Sequence, residues 1–187
     1  MARVRWIATL LVPGIAAGVV AGQAASIQPF QQDEGGAVYF ETVHELPQAA
    51  ADDLFTKAER WVTETFAPHE IVDRVADSKR AWITFHTLIV TPKGWRGFDA
   101  SGDGYARFEI QLAFKDGRAK FRATDFHFLI DRRFGGDGKM RVDAGDDTLF
   151  LKSGKKQATA RAELSEILAG LSDSLGEALA AAGGPDW

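Results

Sequence analysis

The sequence predicts an α+β fold, a single antiparallel sheet of four to five strands with two helices on one face, in the order β-α-β-β-β-β-α. Three observations predict it: two stretches have apolar residues at helical spacing, four or five are strand-like in composition, and the middle strands follow one another closely. Successive strands joined by short turns pair antiparallel. Two helices with one apolar side each are most economically buried on one face of the sheet, which leaves the other face open.

The first 26 residues have the three-part pattern of a secretory signal peptide. Two arginines precede an uncharged apolar run over 6–21, and small residues suitable for cleavage follow at 22–26. A retained membrane anchor is the alternative, but the run has only 16 residues and contains Pro13, whereas a spanning helix needs about 20. We therefore expect a cleaved signal, a periplasmic or secreted bacterial protein, and no integral membrane segment after cleavage.

Composition excludes several classes of site. The chain has 187 residues and no cysteine, so disulfides, zinc–thiolate sites, iron–sulfur clusters and cysteine nucleophiles are ruled out. A chain of this length buries a core without such staples. Its net charge of −4 disfavours nucleic acid and anionic lipid as partners, because both require a cationic surface.

After the signal we expect a flexible lead-in over 27–36, one domain over 37–182 and a tail over 183–187. The first strand is the β-branched and aromatic stretch 37–45. Pro47 then opens the first helix, where its missing N–H costs nothing, and the helix ends at the Pro68 that follows it. Its apolar positions at helical spacing are Leu54, Ala58, Trp61, Val62 and Phe66.

Three further strands are predicted before a hairpin. Residues 70–75 are short, 81–90 are apolar on both faces, and 105–114 alternate between apolar and polar side chains. Asp116-Gly117 is a strong signal for a tight hairpin turn, so 119–130 is the return strand.

The return strand changes its apolar phase along its length. Phe121 and Ala123 are apolar at odd positions, whereas Phe126 and Phe128 are apolar at even positions. A shift by one residue exchanges the two faces of a strand, so we predict a β-bulge near Thr124 or Asp125.

The C-terminal third contains a polar segment and a long helix. Residues 131–156 are rich in Gly, Asp and Lys, with a small hairpin between 140–142 and 148–151 as one interpretation. The helix over 157–182 lies on the sheet or forms a coiled-coil seam, and we favour the sheet because the apolar stripe is short and ends in alanines. That stripe consists of Leu164, Leu168, Leu171, Leu175, Ala178 and Ala182.

Four motifs within residues 38–129 point to a known type of domain: Leu46-Pro47, the helix segment 58–61 with Phe66, the strand 82–85, and the hairpin 114–122. In these motifs the chain resembles a family of exported bacterial domains of unknown function with a TATA-binding-protein-like (TBP-like) fold. The resemblance implies the same β-α-β4-α order and no functional residue or ligand. It does not imply DNA binding, because fold alone does not give function and the acidic charge opposes it.

No catalytic, cofactor-binding or metal-ligating motif is predicted. Residues 99–104 resemble the start of a calcium loop, but the bidentate acid of an EF-hand belongs at the twelfth position, which is Ile110, while Glu109 comes one place early. A glycine-rich turn is the simpler explanation. His86 and His127 lie on central strands, where a shared metal or acid–base site competes with ordinary hydrogen-bonded histidines, which we favour because no acid is placed by sequence to orient them.

The loop over residues 92–104 is unusually long for a connection between neighbouring strands, where about 2–5 residues are typical. It contains Trp95 and Phe98 among glycines, which either fold back over the core or present an apolar contact to a partner. Together with the open sheet face it forms our candidate binding surface. The surface comprises Trp82, His86, Trp95, Phe98, Arg107, Glu109 and Gln111.

The leading hypothesis is a non-enzymatic extracytoplasmic module that binds a protein or small ligand in the cell envelope, without a cofactor. The main alternative is a small periplasmic hydrolase or isomerase that uses His86 or His127 with Glu109 or Asp125, for which a concave pocket holding a histidine next to a carboxylate would argue. A third hypothesis is a structural envelope subunit that self-associates through the last helix.

Overall fold

A computed structural model of the chain describes residues 30–90, 104–133, 139–143 and 155–181. The predicted signal peptide, Trp95, Phe98, the 148–151 strand and the tail lie outside these residues. The described elements are β1 (Gln31–Gln32), β2 (Val38–Glu45), α1 (Ala51–Thr65), β3 (Ile71–Asp77), β4 (Trp82–Val90), β5 (Gly104–Lys115), β6 (Arg118–Arg133), β7 (Lys139–Asp143) and α2 (Lys155–Ala180), with a short 3₁₀ turn at Pro68–Glu70.

The strands form one antiparallel sheet in the order β1-β2-β6-β5-β4-β3, with β7 also paired to β6. The described residues thus contain seven strands, more than the four to five predicted. One reason is the length of β6, which has 16 residues. Its first part pairs with β2 at residues 118–123 and its last part pairs with β7 at residues 129–133, so β7 is a strand of the main sheet.

The second additional strand, β1, lies in the stretch 27–36 that was predicted as a lead-in. It pairs with β2 through a turn that Asp33 organises, since Asp33 Oδ1 accepts hydrogen bonds from the backbone N–H groups of Gly35 and Ala37, at 3.0 and 2.9 Å. The ring of Phe30 packs edge-on against Phe126 with centroids 5.4 Å apart. Side-chain hydrogen bonding and an aromatic contact thus extend the sheet beyond the predicted domain boundary.

Helix α1 covers one face of the sheet with the side chains predicted to be apolar. Phe55 packs against Phe114 of β5, and Phe66, just after the helix, packs against Phe85 of β4. Leu54, Ala58 and Val62 are fully buried. The predicted amphipathic pattern of α1 is therefore confirmed.

The start of α1 differs from the prediction, because the helix begins at Ala51 and Pro47 lies in the turn before it. The β5–β6 hairpin accounts for this start. Asp116 Oδ1 accepts a hydrogen bond of 3.0 Å from the N–H of Ala51, and Gly117 N–H donates to the Ala49 carbonyl at 2.8 Å. The hairpin turn thus supplies the cap that residue 50, an alanine, lacks.

Helix α2 lies beside α1 on the same face and crosses β2. Its buried leucines pack inside the domain, as expected for a helix on the sheet. Two predicted stripe positions differ: Leu171 and Ala178 are only partly buried, whereas their neighbours Ser172 and Leu179 are buried. A 3.6-residue period drifts from a strict heptad, which accounts for this shift. Ala182 lies outside the described residues. The fully buried leucines are Leu164, Leu168 and Leu175.

Polar contacts join α1 to the C-terminal part of α2. Trp61 Nε1 donates to Ser174 Oγ at 3.1 Å. Lys57 Nζ donates to the backbone carbonyls of Leu179 and Ala181, at 2.9 and 2.6 Å, and so caps the C-terminal end of α2. In the described ranges no helix has the length and apolar composition needed to cross a membrane.

Candidate functional site

The sheet face opposite the helices contains the five predicted surface residues that the structure describes. On β4 and β5 the buried side chains alternate with partly or fully exposed ones, so the second set points away from the helices. We call this the open face. It holds Trp82, His86, Arg107, Glu109 and Gln111. The register places His86 directly opposite Glu109, and Thr84 directly opposite Gln111.

The predicted bulge in β6 is confirmed at Asp125. The register moves from Arg107↔His127 to Glu109↔Thr124, so two residues of β6 oppose one residue of β5. Asp125 has φ 53°, a left-handed conformation that Asp adopts more readily than most residues. Bulges re-aim side chains and bend the sheet, and this one turns the Asp125 carboxylate toward the open face.

A second bulge lies at the other side of the open face, in β3. The register between β3 and β4 shifts between Val72 and Val75, and Asp73 there also has φ 53°. One row of paired residues runs between the two bulges across four strands. It consists of Val72, His86, Glu109 and Thr124.

The Asp125 carboxylate bridges two histidines of the open face. Its Oδ1 lies 3.1 Å from His127 Nε2, and its Oδ2 lies 3.4 Å from His86 Nε2. His86 is on β4 and Asp125 on β6, so this contact spans the intervening β5. The sequence named Asp125 only as one of two possible carboxylate partners and did not place it against either histidine. For His86 the partner comes from a different strand, and for His127 it lies two residues earlier on the same strand, at the bulge. The phase slip in β6 was the available signal, since it marks the residue that a bulge re-aims.

Glu109 lies half-buried near the centre of the open face and is held by two uncharged donors. Thr84 Oγ1 donates to Glu109 Oε1 at 2.5 Å, and Gln111 Nε2 donates to the same oxygen at 3.1 Å. Neither bond uses Oε2. In the described part of the chain, no Lys, Arg or His nitrogen lies within 4.0 Å of this carboxylate.

Two other acids of the open face are paired with basic side chains. Glu41 lies 3.5 Å from Lys120 Nζ and 3.5 Å from Arg122 Nη1. Glu45 accepts a hydrogen bond of 2.9 Å from Arg118 Nε. These pairs join β2 to β6. The Glu45–Arg118 pair is largely exposed, so it contributes little to stability, whereas the side chains of Glu41 and Arg122 are partly buried.

Two further structural features bear on the search for a site. A groove of about 1000 Å³ lies beside α1 and the C-terminal end of α2, lined among others by Leu46, Trp61 and Leu179, and none of its lining residues is a histidine. Within the described ranges, no group of three or more His, Asp or Glu side chains is arranged to hold a metal ion. The histidine pair of the open face is therefore neither in that groove nor in a metal-binding arrangement.

His44 takes part in a separate network on the helix side of the sheet. Its Nε2 lies 2.9 Å from Ser172 Oγ on α2, and Ser172 Oγ also contacts Thr42 Oγ1. Burial lowers the pKa of His44 below its ordinary value of 6.5, and the charge of Asp173 and the hydrogen bond to Ser172 only partly offset this effect. Ser172 is fully buried, so this network joins α2 to β2.

Comparison with known proteins gives the fold. No protein-family model matches the chain, and no curated protein matches it. Among solved structures it is similar to a DUF4468 family protein from Bacteroides ovatus, with a TM-score of 0.58 and 13% identity, over 84% of this chain and 93% of that one. It is also similar to a TBP-like protein from Parabacteroides distasonis, with a TM-score of 0.55 and 13% identity, over 78% and 96%.

These similarities confirm the TBP-like α+β fold that the sequence motifs indicated. The resemblance to a bacterial domain of unknown function is thereby supported at the level of fold. At 13% identity neither neighbour transfers a binding or catalytic residue to this chain.

Proposed function

We propose that the protein is a non-enzymatic module of the cell envelope that binds its partner on the open face. One observation supports this most strongly: α1 and α2 both cover the same side of the sheet, while the opposite side of β4, β5 and β6 presents partly exposed polar and aromatic side chains. Such a surface is preorganised by the sheet, because its side chains are spaced by the strands and joined by hydrogen bonds. Trp95 and Phe98 belong to the proposed surface through the loop between β4 and β5.

Two exposed arginines on opposite sides of the domain provide the test. A photo-crosslinking amino acid replaces Arg107 on the open face in one variant and Arg60 on α1 in the other. If the partner is an envelope protein, we expect crosslinked adducts only with the variant at position 107. If the partner is a small ligand, we expect native mass spectrometry to detect it on the wild type and to show its loss only in the variant at position 107. Adducts confined to position 60, or neither signal at position 107, contradict the proposal.

Export is part of the same proposal and rests on the basic, apolar and small-residue pattern of the first 26 residues. N-terminal sequencing of the protein recovered from the periplasm of an expressing bacterium tests it. We expect a new N-terminus within residues 22–27. A protein that keeps Met1 and stays in the cytoplasm would contradict export.

A second candidate function is general acid–base catalysis, which the contacts of Asp125 favour. A carboxylate that accepts a hydrogen bond from one imidazole nitrogen orients the ring and stabilises its protonated form. Here His127, with the shorter contact of 3.1 Å, would be the base. If the protein hydrolyses an ester or amide probe, His127→Gln abolishes the activity while Glu45→Gln, on the same face, preserves it. Activity that survives His127→Gln excludes this candidate.

A further inference from the structure

Glu109 differs from three other acids of the open face. Glu41, Glu45 and Asp125 each have a basic side chain within ion-pair distance. Glu109 has none among the described residues, although it is half-buried and central. Two uncharged donors hold Oε1 of Glu109, but they supply no counter-charge for the partly desolvated carboxylate. Glu109 therefore has the properties of one half of an ion pair.

The geometry of the carboxylate is prepared for an external donor. Thr84 and Gln111 both donate to Oε1, which fixes the position of the group and leaves Oε2 outside these hydrogen bonds. An ammonium or guanidinium N–H directed at a carboxylate oxygen makes a short, charge-assisted hydrogen bond, and a preorganised acceptor loses little conformational entropy in forming it.

Two exposed valines indicate that the cation belongs to a protein. Val72 and Val75 on β3 are 49% and 51% exposed. Val72 stands in the same row as Glu109, and Val75 in the same row as Gln111, in each case with one strand between them. Two strand spacings amount to about 10 Å, a separation that a polypeptide segment covers and a single small amine does not.

From these observations we propose that the open face binds a protein segment in which a lysine or arginine side chain pairs with Glu109 while neighbouring apolar residues cover Val72 and Val75. This inference rests on the proposed function, whose partner it identifies by its chemistry. The charge of Glu109 then provides selectivity, and the valines provide contact area.

The experiment uses two blocked pentapeptides with valines on both sides of a central residue. That residue is arginine in one and citrulline, its neutral isostere, in the other. Binding to the isotopically labelled protein is followed by the amide signals of residues 72–75 and 109–111, in the wild type, in Glu109→Gln and in Glu45→Gln. Glu109→Gln keeps the acceptor oxygen for Thr84 and Gln111, so its fold is preserved.

We expect the arginine peptide to shift these signals and to bind about tenfold more tightly than the citrulline peptide. The preference disappears in Glu109→Gln and remains in Glu45→Gln. Equal binding of both peptides to the open face overturns the cation proposal and leaves the proposed function intact. The cation proposal is also overturned if neither peptide binds at millimolar concentration, or if the preference for arginine survives in Glu109→Gln. The crosslinking experiment at position 107 tests the proposed function separately.

Discussion

His86 Nε2 on β4 lies 3.4 Å from Asp125 Oδ2 on β6, so two side chains meet across a strand that lies between them. The bulge in β6 makes this contact possible, because Asp125 adopts a left-handed conformation with φ 53°. Both the backbone conformation at the bulge and the two imidazole contacts therefore depend on Asp125. Substitutions at this position can separate the effect of the backbone conformation on stability from the effect of the carboxylate.

We predict that Asp125→Ala destabilises the protein by about 1 kcal/mol more than Asp125→Gly. Both substitutions remove the carboxylate, but only alanine has a Cβ that is strained at positive φ. The measurement is the free energy of unfolding in urea. An Asp125→Ala variant as stable as Asp125→Gly would show that the left-handed conformation at this bulge is absent in solution.

The sequence predicted those parts of the fold that depend on local periodicity. The alternation over 105–114, the helical spacing from Leu54 to Phe66 and the phase slip before Phe126 each reflect side chains that must face one common core. The additional strands were missed for a different reason. Pairing of β7 with the end of β6 depends on tertiary context, and β1 depends on a side-chain turn at Asp33 together with the packing of Phe30.

The candidate site was predictable only in outline. Alternation along β4 and β5 identified which residues share the open face. It named Asp125 only beside Glu109 as a possible partner of His86 and did not identify Ser172, because these contacts of His86 and His44 join residues 39 and 128 positions apart. Such pairs follow from sheet order and helix placement, which a single sequence does not fix.

Gly176 on α2 should resist a substitution that normally stabilises helices. A Cβ at Gly176 would lie 2.7 Å from His44 Nδ1, whereas nothing lies within 4 Å of a Cβ at Gly170 on the same helix. We expect Gly170→Ala to raise the free energy of unfolding by about 0.5–1 kcal/mol. Gly176→Ala should lower it, because the His44 ring must leave its hydrogen bond with Ser172.

The double variant tests this explanation. In a His44→Ala background the ring is absent, so Gly176→Ala should regain the stabilising effect seen at Gly170. Urea unfolding of the four proteins in the cycle gives the coupling energy. A Gly176→Ala effect that is the same with and without His44 would mean that the ring is not the obstacle.

Stability should depend on pH through His44. Burial lowers the pKa of His44 in the folded state below its ordinary 6.5. Between these two values the unfolded chain binds more protons than the folded one, so the free energy of unfolding falls as pH decreases through this window. The contribution is complete above pH 6.5 and is lost below the lowered folded-state pKa.

Urea unfolding between about pH 8 and pH 5 measures the effect. His44→Gln keeps a side chain able to hydrogen-bond with Ser172 but does not titrate, so the difference between the two curves isolates His44. We expect the wild type to lose more stability than His44→Gln on acidification. Parallel curves would show that His44 protonates equally in both states.

A substitution at Thr87 on β4 should raise the free energy of unfolding rather than lower it. Its side chain faces the core, it is 1% exposed, and its Oγ1 has no hydrogen-bond partner among the described residues. A buried hydroxyl without a partner costs about 1–3 kcal/mol, so Thr87→Val, which keeps the shape and removes the polar atom, should raise the free energy of unfolding by about 1 kcal/mol.

Thr84 on the same strand is the matched control, because its Oγ1 donates to Glu109. Thr84→Val should therefore give no gain in urea unfolding, and an equal gain at both positions would mean that β-propensity rather than the orphaned hydroxyl explains the change at Thr87.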